Sequence, residues 1–525
     1  MAVNDEKAVV SDGDSADRQG METNDRTPSP NPETQTPPPT DDVEASSERR
    51  SLEPIPRSQR RGLFGRFTLI PEVANPSHYP KATKWLMTVT VALAGATSST
   101  GSSIFYPALA EVANDLHTTQ TVTNLSLAFY LLAMAFTPLW WSSFSETLGR
   151  RTIYIISFSL FTLFSILSAV SVNIAMLIVF RILSGGAAAS VQAVGAGTVS
   201  DLWPPKERGK AMGIFYLGPL CGLGIAPIIG GALTAGLGWQ STLWFLVIFG
   251  AVLFFLILFC LPETLPRPPT PAQPTPRMTP RRIAHRLLTP LSVLSYLRHP
   301  AVLVSVYSAA TAFGSLYVAN ISIQSALSRP PYLFTPTEIG LVYLAPTLGY
   351  ALASVLGGRW TDHIMAREAR RANRFSPTHP THLILLPEDR LKENIWLAAT
   401  LYPASMIWYG WSVDRQLHWA IACAANLFFG VGGMLVFGAA TTALTEFLPG
   451  RAAGGVALNN FVRSIFATVG VVVTQPLIDA VGDGWTCTIV GLAAWVTGNV
   501  AVGCLVRWGG RWRGEMDRKL RRQER

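Results

Sequence analysis

Residues 213–231 read GIFYLGPLCGLGIAPIIGG, a run of nineteen residues without a single charge. With its flanks, 209 to 234, it is long enough to cross a hydrocarbon core of about 30 Å as one helix. Its small residues are spaced: Gly213, then Gly222, then Ala226-Pro227, then Gly230-Gly231. Glycines on one face of a helix let a neighbouring backbone approach closely, and Pro227 removes one backbone hydrogen bond and bends the helix. Working outward, apolar runs of similar length recur on both sides. Together they fill about 84 to 261 and 300 to 506, six in each block, so the chain is expected to be an all-α membrane protein of twelve transmembrane helices in two six-helix halves. The composition agrees: 49% of residues are hydrophobic and 14% charged, against about 25% charged in a soluble domain. An ordinary water-soluble enzyme is therefore excluded.

The segments outside the spans differ in kind. Residues 1–83 carry Ser/Thr-Pro repeats, the run Pro37-Pro38-Pro39 and acidic patches with few aliphatics; such a stretch is expected to be a disordered tail. Residues 262–299, rich in Pro and Arg, read as an aqueous linker between the halves, and 507–525 as a short basic tail. The five cysteines, Cys221, Cys260, Cys423, Cys487 and Cys504, lie in or beside apolar runs without CxxC spacing. They are small core residues rather than metal ligands or a disulfide framework.

Charge then gives orientation. An even number of spans puts both tails and alternate loops on one face, and 38 of the 42 Lys and Arg fall there. The opposite loops hold only Arg329 and Arg415, and Arg181 and Arg463 lie within spans. Basic residues collect on the cytosolic side, so both termini are expected in the cytosol. The net charge of +9 is topological, and no nucleic-acid partner is expected.

A weak repeat relates the halves. SSFSETLGRR at 142–151 recurs in outline as GRWTDHIMAR at 358–367, and Asp201 with Pro204 is echoed by Glu446 with Pro449. Two six-helix repeats with a midplane site between them form a transporter architecture. In the loop after span two, Arg150 and Arg151 have three partners open to them: Glu146, Asp201 and lipid phosphate. In span four, a guanidinium at Arg181 costs about 2.5–3.5 kcal/mol at a helix centre and must find acceptors or water.

These motifs resemble those of the Major Facilitator Superfamily, and the whole resembles its fungal twelve-span drug:proton antiporters, in the quinidine-resistance, dityrosine and polyamine exporter branch. In the loop signature Ser142 stands for a Gly, Glu146 for an Asp and Thr147 for an Arg; in the span-five antiporter motif Ala226 stands for the Gly before Pro227. The resemblance implies a charge relay at the inner gate through Glu146, Arg150, Arg151 and Asp201. It also implies a proton-linked role for Arg181 and an antiporter motif at Gly213, Gly222, Ala226, Pro227, Gly230 and Gly231 that favours export.

The cargo is an electrostatic question. No carboxylate falls at a span centre, whereas Arg181 and Arg463 do, with Gln192, Tyr216, Asn320, Gln324, Asn426, Asn459 and Asn460 as further cavity candidates. If both arginines line the cavity, an organic anion or a neutral amphipathic molecule suits it better than a polyamine. The expected function is proton-coupled export of drugs, secondary metabolites or organic acids by a monomer in the plasma membrane, a vacuolar or vesicular membrane being the alternative. A polyamine or other cation exporter, an organic-acid or glycolipid exporter of a biosynthetic cluster and a non-transporting receptor are the other readings. No catalytic residue, metal or cofactor is expected; the partners are a small-molecule substrate, protons and the lipid bilayer.

Overall fold

The computed structural model describes residues 55–266, 289–375, 383, 389, 393–447 and 452–523. In chain order the helices are α1 (Lys81–Ser103), α2 (Leu109–Asp115), α3 (Gln120–Leu148), α4 (Arg150–Ala169), α5 (Ile174–Ala188), α6 (Ser190–Leu202), α7 (Pro205–Leu237) and α8 (Gln240–Cys260). A 3-10 helix at Thr289–Arg298 leads into α9 (Pro300–Leu327), α10 (Pro336–Val342), α11 (Leu344–Arg371), α12 (Glu393–Asp414), α13 (Trp419–Phe447) and α14 (Ala452–Gln523).

Among the described residues, nine helical stretches are long and apolar enough to cross a membrane. Twelve spans follow from three further facts. The last stretch is two helices joined at Gly482, whose φ of 83° no continuous helix adopts. The helices α1 and α12, with 23 and 22 residues, are also of spanning length. α1 is less apolar because nine of its residues are Ser or Thr, and it is hidden from lipid by its neighbours, with most of its residues buried.

Packing repeats with a shift of six spans. In the first half α1 lies on α7, α3 on α5 and α4 on α8; in the second, α9 lies on the first part of α14, α11 on α13 and α12 on the second part of α14. Small residues make each contact close. A Cβ at Gly250 of α8 would press on Phe161 of α4, and one at Gly491 of α14 would press on Ile407 of α12, the equivalent pair. Across the halves, α3 packs on the first part of α14, with Phe136 edge-on to Phe461 at 4.9 Å, and α7 packs on α10.

Three boundaries differ from expectation. Residues 55–80 of the supposed tail are folded, because polar anchors and a few apolar side chains, Ile70, Val73 and Tyr79, dock them on the core of the first half. Glu72, 1% exposed, accepts from the Arg61 backbone and side chain at 2.7 Å each, and Tyr79 and Val73 are buried. At the ends of the 262–299 linker, Glu263 is buried and Thr289–Arg298 packs on α9 and α14. The basic tail continues α14 as helix from 507 to Gln523, with Met516 buried at 1% exposure among Leu505 and Val502. Residues 1–54 and 267–288, with the expectations placed on them, lie outside the described residues, as does the side chain of Glu446.

Candidate functional site: a polar clasp, an aromatic cavity and an interhelical seal

The loop after span two holds one ion pair and one clasp. Arg150 Nε donates to Asp201 Oδ2 at 3.2 Å and its Nη1 to Ser145 Oγ at 2.6 Å. The guanidinium crosses α6 directly over Gly197, where a Cβ would sit 2.8 Å from its central carbon. Glu146 is exposed and forms no ion pair among the described residues. The expected relay is thus reduced to Arg150, Asp201 and Ser145, because Glu146 lies on the outward side of the last turn of α3.

Arg151 takes none of the three partners open to it in the sequence. It is fully buried, and it donates to the carbonyls of Ile257 at 3.1 Å, Leu258 at 2.9 Å and Leu261 at the C-terminal end of α8. It also donates to Leu63 and Phe64 of the folded leader, at 3.1 and 3.0 Å. A buried charge demands such saturation. In return Glu263, two residues past Leu261, accepts from the backbone N–H of Arg150 at 2.9 Å, of Arg151 at 3.2 Å and of Leu265 at 2.9 Å. A cation therefore caps the negative end of α8 and an anion the positive end of α4, each favourable with the helix dipole. Burial pushes the Glu263 carboxyl up, and the N–H groups of Leu265 and Arg150 pull it back. Sequence reading missed Glu263; an acid just past the end of span six was the available signal.

Arg181 is 1% exposed. Its guanidinium carbon lies 4.4 Å from the Tyr130 ring centre and 4.9 Å from that of Phe105, and Nη1 donates to the Gly101 carbonyl at 2.8 Å. Nε and Nη2 are buried without a partner among the described residues. Tyr130 fits only because position 101 is glycine, since a Cβ there would collide with its hydroxyl. Arg181 as a cavity-lining candidate is corrected here: it is buried between two aromatic rings and the Gly101 carbonyl.

Arg463 is the more accessible of the two. Partly exposed, it stacks over Phe313 at 4.2 Å and Phe437 at 5.2 Å, has a buried Nε without a partner, and acts electrostatically on Tyr317 and Tyr216. Tyr216 remains 47% exposed, because α7 and α11 meet near Gly224 and Thr347 and separate below. At Gly213 and Gly358 nothing lies within 4 Å of where a Cβ would stand.

The other candidates fall elsewhere. Asn320 Nδ2 donates to the Tyr106 hydroxyl at 3.4 Å, and its carbonyl accepts from Tyr343 at 2.7 Å. Tyr106 stacks on Tyr343 at 5.4 Å and meets Tyr317 edge-on at 6.3 Å. Gln324 accepts from Gln120 of the other half. These residues seal the end opposite Arg150 rather than line a cavity. Asn426 donates to Ala422 of its own helix at 2.9 Å, Asn459 to Thr441 at 3.4 Å, and Gln192 to Ser98 at 3.5 Å, while Asn460 is partly exposed.

The span-five glycines do not share one face. Gly222 and Gly230, with Gly218 and the buried Ala226, abut α1, and a Cβ at Gly230 would collide with the Ile104 carbonyl. Gly231 turns to the second half, where a Cβ would collide with the Pro336 carbonyl, and the Pro227 carbonyl lies against Gly340. Gly213 faces open space, contrary to expectation: nothing lies within 4 Å of where its Cβ would stand.

Known proteins agree with this architecture. Residues 91–328 match the Major Facilitator Superfamily family. The chain is 33% identical to the MFS antiporter QDR3 of Candida albicans, over 83% of this chain and 79% of that protein. It is 30% identical to the efflux pump radE of Floropilus chiversii, over 78% of each. A crystal structure of a D-xylose-proton symporter shares the fold with a TM-score of 0.59 at 13% identity, covering 79% of this chain and 97% of that one. With twelve spans, a six-span shift in packing and relatives matched over most of their length, the chain belongs to the Major Facilitator Superfamily of membrane transporters.

Proposed function

We propose that the protein exports small organic anions and neutral amphipathic molecules against a proton gradient, by rocking of residues 84–261 against 300–506. The observation that carries this reading is Arg463, a partly exposed guanidinium stacked on two aromatic rings within the membrane, without an ion-pair partner among the described residues. An unpaired intramembrane cation is costly unless it serves a ligand or water, and it repels a polyamine. Export by antiport is supported by the printed names of the relatives, an antiporter and an efflux pump. The protein works as a monomer in the plasma membrane with both termini in the cytosol, the orientation that the basic residues favour. The coupling proton travels on Asp201, the carboxylate paired with Arg150, or on the cargo's own carboxyl.

The test is transport by reconstituted protein of a matched pair, an aromatic carboxylic acid and its methyl ester. Arg463→Gln is expected to lower kcat/KM for the acid at least tenfold and for the ester less than threefold. Arg181→Gln is expected to lower both alike, since it is enclosed. Equal losses for both cargoes in Arg463→Gln would sink the anion reading. Transport that persists after the pH gradient is collapsed would sink proton coupling.

A further inference from the structure

Outside the transport path, the folded leader presents a surface that neither the clasp nor the cavity uses. Residues 57–69 form two 3-10 turns, Arg57–Gln59 and Gly65–Phe67, around an open basin of about 760 Å³ lined by Arg57, Arg60, Arg66, Phe64 and Phe67 among others. Arg60 is used internally, donating to the carbonyls of Ile55 and Thr68 at 3.3 and 2.6 Å. Arg57 and Arg66 are exposed, and Arg66 lies over the Phe67 ring at 5.2 Å. Beside them stand large exposed apolar side chains: Phe64 is 49% exposed, Phe67 48% and Leu69 71%.

The place of this surface in the fold identifies what covers it. The Leu69 N–H donates to the Phe259 carbonyl at 2.8 Å, in the last turn of α8. That helix has 21 residues, about 31 Å at 1.5 Å per residue, so its ends mark the two faces of the hydrocarbon core. Phe255 and Phe259 near the same end are themselves 54% and 40% exposed, as lipid-facing side chains are. The apolar strip of α8 thus runs on into Leu69 and Phe67 at the level of the headgroups, where arginines reach the polar layer while apolar groups stay in the chains.

We propose that leader residues 57–69 form a binding site for anionic phospholipid, with Arg57 and Arg66 taking the headgroup phosphate and Phe64, Phe67 and Leu69 resting in the acyl boundary. Charge complementarity selects the lipid: an arginine near an anionic surface adds about fivefold to binding, whereas the apolar contacts do not distinguish headgroups. Arg151 ties the leader through Leu63 and Phe64 to the ends of α4 and α8, so a bound lipid bears directly on the clasp. The site depends on the bilayer alone and on neither the cargo nor the direction of transport.

The test is native mass spectrometry of the full-length protein titrated with phosphatidylserine and with phosphatidylcholine. Phosphatidylserine is expected to bind more tightly. Arg57→Gln should weaken it about fivefold and Arg57→Gln with Arg66→Gln about 25-fold, with phosphatidylcholine, whose phosphate is neutralised by its own ammonium, weakened far less and the melting temperature unchanged. Phe67→Ser with Leu69→Ser should weaken both lipids alike. Equal affinity of wild-type protein for the two lipids, unchanged phosphatidylserine binding in the double arginine variant, or displacement of the lipid by an equal concentration of inorganic phosphate would each overturn the proposal. A failure of the cargo test with these results intact would leave the lipid site standing.

Discussion

Gly149 has φ 94°, in the region that only glycine adopts without strain. Its lack of a Cβ is also what lets the Glu263 carboxylate reach the N-terminus of α4, because a Cβ there would collide with Glu263 Oε2. Two separate costs therefore attend Gly149→Ala: backbone strain of about 1–3 kcal/mol, and displacement of the carboxylate from three N–H groups. Glu263→Ala removes the obstacle and the acceptor together, leaving those N–H groups unpaired at about 1–3 kcal/mol. The two substitutions share a partner, so their effects cannot add. In thermal melts of the purified protein each single variant should lower the melting temperature. The double variant should lower it by clearly less than the two losses together; strict additivity would show that Glu263 and Gly149 act apart. Gly149 stands out in the sequence only as a glycine directly before two arginines in the loop after span two. Its partner does not stand out, since Glu263 lies 114 positions further on and nothing local marks the pairing.

At the scale of an element, α7 shows which part of a motif spacing can reveal. The sequence shows that this helix is rich in small residues and carries a proline at 227, and in the structure both Pro219 and Pro227 lie inside one helix of 33 residues. Spacing alone does not say which neighbour each glycine meets. Gly222 and Gly230 serve α1 within the half, Gly231 serves α10 across the halves, and Gly213 serves nothing in this conformation. Gly213→Ala should accordingly leave transport within twofold and raise stability by up to about 1 kcal/mol through helix propensity. Gly231→Ala should abolish transport while leaving assembly intact, because it forces α7 from the Pro336 carbonyl and strains the contact between halves. Transport assays with expression level and melting temperature measured in parallel check both. Normal transport in Gly231→Ala would mean that the α7–α10 contact is slack. Arg463 and Arg181 show the same limit: both stood out as intramembrane cations, but only the packing of Tyr130 and Phe105 separates the enclosed one from the accessible one.

For the whole molecule, twelve spans, two halves and the basic face were legible because hydropathy and charge are summed over many residues. The conformational state was not, because it rests on a few contacts between distant helices. In the structure the halves close at the end bearing Tyr106, Tyr343 and Asn320, whereas towards the other end α7 and α11 leave open space at Gly213 and Gly358 and contact between halves persists at Phe136 and Phe461. Alternating access requires this seal to break as the other end closes, so its strength sets the equilibrium between states. An aromatic pair contributes about 0.5–1.5 kcal/mol beyond its buried area, and the Tyr343 hydroxyl adds a hydrogen bond to the Asn320 carbonyl. Removing the Tyr106 ring should then shift the population toward the state open at this end by about tenfold, since 1.4 kcal/mol is one decade. The measurement is the labelling rate of Gln324→Cys by a membrane-impermeant thiol reagent, after the five native cysteines are replaced by Ala or Ser. Gln324 is fully buried in the seal, so a thiol introduced at this position is labelled slowly, and adding Tyr106→Ala should accelerate the labelling about tenfold. Tyr79→Phe, at a buried ring far from the seal whose hydroxyl donates to the Pro71 carbonyl at 2.6 Å, should leave the rate unchanged. Equal acceleration in both would attribute the effect to general loosening, and no acceleration in Tyr106→Ala would place the gate elsewhere.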